Sequence, residues 1–514
     1  MTTRTLDRTG PEPGPALHTR WNARLIGLVA VLALVNFVVD SAITAPLVVL
    51  PEMLDHFDTD QAAWLNATTM LAGVMWAPLL GKSADIYGKR KVLVLTLLIS
   101  CAGAVVCALA PNLVVFVAGR LLQGAALAAM FLSVAIVRSV CEPRIAMIIV
   151  GVVTSGAAVL NIASRFLIEQ LAVEFGFQIL FVIGAAVAAA MAVCVRYLVP
   201  ESLIRTPGRI DIGGALLLGG GLAGVLGYVS LGSDLGWLAV GPLALLLGGV
   251  AALTRWFLVS SRKPDPLIDV RDLSGPLVLT LLVVFLAAGS YQSMLQLIPL
   301  ITDVSAGQGL GYGLADQGSV ALLLAAPGIG VTLGGPVSGW LATRLGPAPT
   351  LAGAVLLGTA ATAGMFLGAS WLPVALCCGF LLGITVGALG TSGFNMAGSV
   401  ASPERQGIVS SLVMVMVSVG AVVFNFVGAA VLSSTTVDVA GEAANSATGV
   451  FGYIATACGA FAVAAVLAGT LVRTTHARRV PTPPAHLSPT PSPSTPSPST
   501  PSPERHRIDE GAHE

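Results

Sequence analysis

At 514 residues with 55% hydrophobic and only 10% charged side chains, the chain falls outside the water-soluble globular class, in which about a quarter of residues carry charge. Its 26 basic and 26 acidic residues cancel, so there is no bulk electrostatic case for nucleic-acid binding and the placement of charge becomes the informative quantity. The composition fits a chain whose solvent is lipid.

A polar N-terminal tail, 1–23, precedes the first apolar run, 25–50. That run is too long for a signal-peptide core and has no small-residue cleavage site before a soluble domain, so it reads as a transmembrane helix. Windows of about 20 apolar residues are needed to span about 30 Å of hydrocarbon. They recur at 61–80, 92–110, 113–137, 146–168, 176–198, 211–231, 237–259, 275–301, 318–342, 348–368, 371–397, 406–432 and 448–472, giving fourteen spans. An even number puts both termini on one side. With that alternation, 24 of the 26 Lys and Arg fall on one side, in its loops, tails and adjoining span ends (Arg196, Arg255), and the other two, Arg120 and Arg165, lie deeper inside spans. The opposite loops carry Asp55, Asp58, Asp60, Asp234, Asp303, Asp316, Asp438 and Glu442. Lys and Arg resist translocation, so the cationic side is expected to be cytoplasmic and the protein a multi-pass component of the cell membrane with both termini inside. The seven cysteines lie in spans or, for Cys141, in a cytoplasmic loop, without paired ligand spacing; no disulfide and no metal site is expected. From 481 to 503 a Pro/Ser/Thr repeat lacks apolar bulk, so the 474–514 tail is expected to be extended and solvated, with adaptor docking as the alternative.

Between the second and third spans lies Gly81-Lys82-Ser83-Ala84-Asp85-Ile86-Tyr87-Gly88-Lys89-Arg90-Lys91, read as a short charged loop. Its pattern, Gly-x-x-x-Asp-x-x-Gly-Lys-Arg-Lys, resembles the loop between helices 2 and 3 of the major facilitator superfamily, with Ile86 where that family usually has Arg. Gly339 to Gly346 repeats the Gly-to-Gly interval with Thr343 in place of Asp85, and Glu142-Pro143-Arg144 is echoed by Pro403-Glu404-Arg405. If spans 1–6 and 9–14 are the two equivalent halves, spans 7 and 8 are an inserted pair joining them, the arrangement that the resemblance implies. Within the pair and its exit, Arg209-Ile210-Asp211-Ile212-Gly213-Gly214, Gly236-Trp237 and Asp265-Pro266-Leu267-Ile268-Asp269 resemble the fourteen-helix drug:proton antiporter family of that superfamily. The resemblance covers roughly 24–472 and implies an all-α membrane protein with 14 transmembrane helices. Its parts are a six-helix half at 24–200, the inserted helices at 201–262 and a second six-helix half at 263–473.

Charge inside a span is costly unless paired or wetted, so intramembrane ionisable residues are candidates for function. Asp40 lies about 22 Å along the first span from its cytoplasmic edge, and Arg120 about 12 Å below the outer end of the fourth, so their depths agree within a turn. Asn36, Asp40 and Thr44 share a face of the first span; Arg120, Gln123 and Gly124 share one of the fourth. Arg120-Leu121-Leu122-Gln123-Gly124 also matches the family's helix-4 motif, Arg-x-x-Gln-Gly. Two readings stand: Asp40 and Arg120 couple a proton to the state of the cavity, or they form a static pair between helices. The fifth span lacks the antiporter family's Gly-Pro; Asn161 and Arg165 there form either a polar patch for an anionic substrate group or, for Arg165, a snorkelling cation. In the second half Tyr291, Gln292, Gln296 and Asn395 suit hydrogen bonding to an uncharged or amphiphilic solute, or packing. Gly379, Gly383 and Gly387 recur every four residues, as close helix crossing requires.

The resemblance further implies a switch. Ser402 is expected to N-cap the thirteenth helix, with Asp85 facing its positive dipole end from the other half when the cytoplasmic side is closed, steadied by Lys89 or Arg90. Gly81 and Gly88 shape the turn. With no nucleotide-binding loop, catalytic triad or cofactor motif, the expectation is a non-enzymatic, monomeric secondary transporter whose partners are protons, lipid and a small-molecule substrate. Export of amphiphiles or antibiotics by proton antiport is the first reading. Import of a specific metabolite, or a transport-inactive sensor or scaffold, are its rivals.

Overall fold

The computed structural model describes residues 21–477 except 59–61, 159, 161–169, 173, 203–204, 264–265, 267, 269–272, 303–316, 436, 440–441 and 445. Asn161 and Arg165 lie outside the described residues, as does the tail beyond 477. Helices dominate: α1 Ala23–Val48, α2 Leu50–Phe57, α3 Ala62–Tyr87, α4 Lys89–Ala108, α5 Leu113–Gln123, α6 Leu127–Val140, α7 Pro143–Ser155 and α8 Gln178–Leu198 in the first part. They are followed by α9 Ile212–Leu235, α10 Val240–Ser260, α11 Gly275–Thr302, α12 Gln317–Leu345, α13 Pro347–Gly368, α14 Leu372–Val400, α15 Gln406–Ser433 and α16 Ala447–Ala477. Among the described residues, eleven segments are long and apolar enough to cross a membrane. An antiparallel hairpin, β1 Val437–Val439 with β2 Glu442–Ala444, departs from the all-α expectation; Val437 pairs with Ala444 and Val439 with Glu442.

The departures from the expected spans have local causes. Past the C-cap Val49, the first span continues as the short helix α2, which starts one residue before Pro51. The fourth is broken by a 3-10 turn, Gly124–Ala126, where Gly124 packs so closely on α3 that a Cβ would lie 2.7 Å from the Thr69 carbonyl. The expected 81–91 loop is almost entirely helical. α3 runs on to Tyr87 and α4 begins at Lys89, with only Gly88 between them at φ 108°, a conformation that L side chains rarely adopt. Gly346, at φ 92°, makes the same one-residue break between α12 and α13.

Two apolar cores form. One joins α1, α3, α4, α6, α7 and α8 and extends into α15 through Ile408, Val409, Leu412 and Val413; the other is built from α11–α16, and a smaller third cluster sets Met53 of α2 and Phe116 of α5 with Phe177 and Phe181. Of the two helices expected as an inserted pair, α9 leans on α3 with Gly219 against Met75, and α9 packs on α10 through Gly221, Gly224 and Gly249. Glycine also sets the crossing of α12 with α14: Gly383 meets the Pro327 carbonyl and Gly387 that of Val331, while Gly379 is looser, 3.5 Å from the Pro327 ring. The repeat noticed in the sequence therefore marks backbone-to-backbone packing.

Candidate functional site

The two halves meet at the end of the bundle that carries the α3–α4 turn. Gly81 lies on α15, where a Cβ would fall 2.9 Å from the Gly407 carbonyl, and one turn on, Asp85 is buried at the same crossing. Its carboxylate accepts from the amides of Gly407 (2.9 Å) and Ile408 (3.0 Å). These are the second and third residues of α15, the N–H groups that a helix leaves unpaired and an N-cap side chain ordinarily satisfies. Asp85 is therefore an N-cap supplied from the other half of the molecule, a type of contact worth about 0.5–2 kcal/mol. Ser402 precedes the 3-10 turn Pro403–Arg405 and makes no side-chain cap, so the capping role expected of it falls to Asp85.

Of the two cations expected to steady this carboxylate, Lys89 does so, with Nζ 3.6 Å from Asp85 Oδ1 and no exposed surface. Arg90 turns to α8 instead: its amide donates to Glu201 Oε1 (3.1 Å), its Nε lies 3.6 Å from Glu201 Oε2, and Nη1 donates to the Val199 carbonyl (3.2 Å). A Cβ on Gly88 would press on Glu201, a second reason for glycine there. Burial pushes the Asp85 carboxyl above its ordinary value, while Lys89 and then the two amides pull it back. The connector between the first half and the inserted pair crosses the same place: Thr206 donates its amide to the Asp85 carbonyl (2.8 Å) and its hydroxyl to the Glu404 carbonyl (2.9 Å).

A second contact between halves was not legible as such in the sequence. Arg138, near the end of α6, donates through Nη2 to the backbone of Asn395 (3.0 Å), to its side-chain Oδ1 (2.9 Å) and to the Phe394 carbonyl (3.3 Å) on α14. Asn395 in turn donates to the Met147 carbonyl on α7 (3.2 Å). Asn395 is thus committed to the junction in this conformation. The only advance signal for Arg138 was a lone cation at the last turn of an apolar span. Deeper in the interface Thr154 and Thr391 hydroxyls lie 3.1 Å apart, and α7 and α12 touch backbone to backbone at Gly151, Gly335 and Gly339.

In the first half, Arg120 is fully buried and donates through Nη1 to the Ala42 carbonyl and to Gln123 Oε1, both at 2.8 Å. It therefore grips α1 two residues past Asp40, which is half-buried. Asn36, one turn before Asp40, donates to the Val153 carbonyl of α7 (2.8 Å), within the same half. Thr44 lies in α1. Tyr291 on α11 is buried, Gln292 half-buried and Gln296 exposed, so these three do not converge on one surface.

With this geometry in place, a profile of the Major Facilitator Superfamily matches residues 32–424 and, in a second segment, 305–503. The chain belongs to the Major Facilitator Superfamily. Like the family, it is a non-enzymatic transporter and a multi-pass membrane protein. It is 29% identical to the uridine/deoxyuridine transporter of Lactococcus lactis over 403 residues, 73% of this chain and 79% of that one. Similarity to a triacylglyceride transporter of Mycolicibacterium hassiacum is 28% and covers 59% of this chain and 56% of the relative. To the multidrug resistance protein Stp of Mycobacterium tuberculosis it is 25%, covering 60% and 58%. For these last two, the match spans little more than half the relative's length. Among solved structures, the human organic anion transporter MFSD10 superposes with a TM-score of 0.60 at 18% identity over 87% of this chain and all of that one, which shows the fold.

Proposed function

We propose that this transporter is a fourteen-span secondary carrier of the drug:proton antiporter type, exporting amphiphilic small molecules by alternating access. The observation that carries the reading is the Asp85 cap: a carboxylate from one half bound to two backbone amides of the other holds one end of the bundle shut and can be released without unfolding either half. Loop cations argue that this end is cytoplasmic, with both termini on the same side. Asp40 is the proposed proton acceptor, with Arg120 setting its environment from the neighbouring helix. The resemblance to a multidrug resistance protein supports export.

A second reading, uptake of a specific metabolite, is favoured by the relative with the longest match of the three, a nucleoside transporter. Everted vesicles energised by a proton gradient separate the two: accumulation of a fluorescent lipophilic cation supports export, whereas labelled uridine entering intact cells, with no such accumulation, supports uptake. Asp40→Asn keeps the size of the side chain and removes its proton, so gradient-driven transport is expected to fall at least tenfold with the protein still inserted. Full retention of coupled transport in that variant would sink the proton site.

A further inference from the structure

A cavity of about 200 Å³ lies wholly inside the first half, between α1, α4, α5 and α8. None of its described lining residues comes from the second half. It is walled by Phe37, Pro46, Leu180 and Phe181, and is larger than the roughly 150 Å³ apolar cavity that is known to admit benzene. Its level is set by α8, which ends at Leu198 beside Arg90 of the charged turn; residues Leu180 to Val187 are the opposite half of that helix. Ile183 at the rim is 39% exposed and its neighbour Val182 51%, on a helix long and apolar enough to cross a membrane.

Three polar side chains interrupt the apolar lining: Ser41, whose hydroxyl donates to the Val38 carbonyl of its own helix (3.0 Å), and two that are almost completely buried, Gln123, 4% exposed, and Ser100, 2%. Gln123 spends its carbonyl oxygen on Arg120, which fixes the amide orientation and leaves Nε2 as a donor with no partner among the described residues at the cavity wall. Leaving such a donor unmade in an apolar setting costs about 1–3 kcal/mol, so a site that presents it to a cavity favours an occupant with an acceptor.

We propose that this cavity binds one uncharged apolar chain carrying a carbonyl, the acyl-ester chemistry, admitted from the leaflet opposite the charged turn. The carbonyl accepts from Ser100 and Gln123 while the chain lies against Phe37, Leu180 and Phe181. The site is distinct from the Asp85 junction of the halves, but it shares Arg120, through Gln123, with the proposed proton site.

The test uses the full-length protein in nanodiscs with two photoactivatable diazirine probes, a phosphatidylcholine labelled in one acyl chain and a soluble octyl ester, with peptide mapping of the adducts. Adducts on α1, α4 and α8 cavity residues are expected, from the phospholipid if membrane lipid is the occupant and from the ester if a free solute is. Nothing lies within 4 Å of where a Gly184 Cβ would sit, so Gly184→Trp fills space without displacing packing, and Ser41→Leu fills from the α1 wall. Each should cut cavity labelling at least tenfold, whereas Val182→Trp, on the neighbouring exposed position, should not. The soluble ester should outcompete an alkane of equal length severalfold, and Ser100→Ala should reduce that preference. Labelling that is absent, or equal in all three bulky variants, overturns the site; an ester preference unchanged by Ser100→Ala overturns the assigned acceptor contact.

Discussion

The α3–α4 turn and the α12–α13 turn are two copies of one device, and only one of them carries a charge. In both, a glycine one or two turns before the break packs against a helix of the other half: Gly81 against α15, Gly339 against α7. In both, a single glycine with positive φ reverses the chain, Gly88 and Gly346. The difference sits four residues after the packing glycine. Asp85 reaches across to cap α15, while the Thr343 hydroxyl folds back on its own helix and donates to the Trp340 carbonyl at 2.7 Å. Arg344 beside it stacks on Trp340 rather than reaching over. Steric fit is thus used twice and electrostatic capping once, so the shared part should be essential in both copies and the charged part in one.

The largest effect should come from the shared part. Gly81→Leu and Gly339→Leu each force a side chain into a backbone-to-backbone crossing, and overpacking of this kind costs about 1–3 kcal/mol or more. Transport is expected to fall at least tenfold in both, and a large loss in one with none in the other would break the equivalence of the copies. Asp85→Asn comes next: it removes one acceptor from a two-amide cap and leaves the buried Lys89 ammonium without its counter-charge, a loss of about 1–3 kcal/mol. Thiol labelling of Ser411→Cys should rise five- to hundredfold, Lys89→Met should recover part of the change, and Thr343→Ala should be silent. Unchanged labelling in Asp85→Asn would remove the switch. Asn395→Ala, which strips one of the Arg138 contacts but leaves two carbonyls, should open the same end by about 1 kcal/mol, read as a smaller rise in the same assay. The smallest effect is a gain: Thr343→Asp introduces a carboxylate near the start of α7 and should favour the closed state by about 0.3–1 kcal/mol, seen as reduced labelling.

How much of this was legible depended on sequence separation. Asp85, Gly88 and Lys89 lie within one turn of each other, so their pattern survives in a single window. The lost acid at Thr343 was equally readable by comparing the two windows. The break at Gly88 was over-read as a loop because its charges suggested solvent, whereas Asp85 and Lys89 are buried against α15 and each other. Ser402 had the residue type of a cap, but Pro403–Arg405 forms a 3-10 turn and moves the true helix start to Gln406. Arg90 with Glu201, and Arg138 with Asn395, join residues more than a hundred positions apart, and no local pattern announces either pair. Arg120 meets α1 at the Ala42 carbonyl, two residues from Asp40, and holds Gln123 of its own helix, contacts set by a helix rotation that spacing alone left open.

Thr206 adds a kinetic element to an otherwise two-body junction. Its amide is tied to the last turn of α3 and its hydroxyl to the turn before α15, so the connector is fastened to both jaws at once. If the halves part as the proposed function requires, at least one of those fastenings has to break, which would tie the connector to the rate of opening. Substituting the hydroxyl would then change how fast the end opens more than how often it is found open, a distinction that equilibrium labelling misses and stopped-flow quenching would resolve.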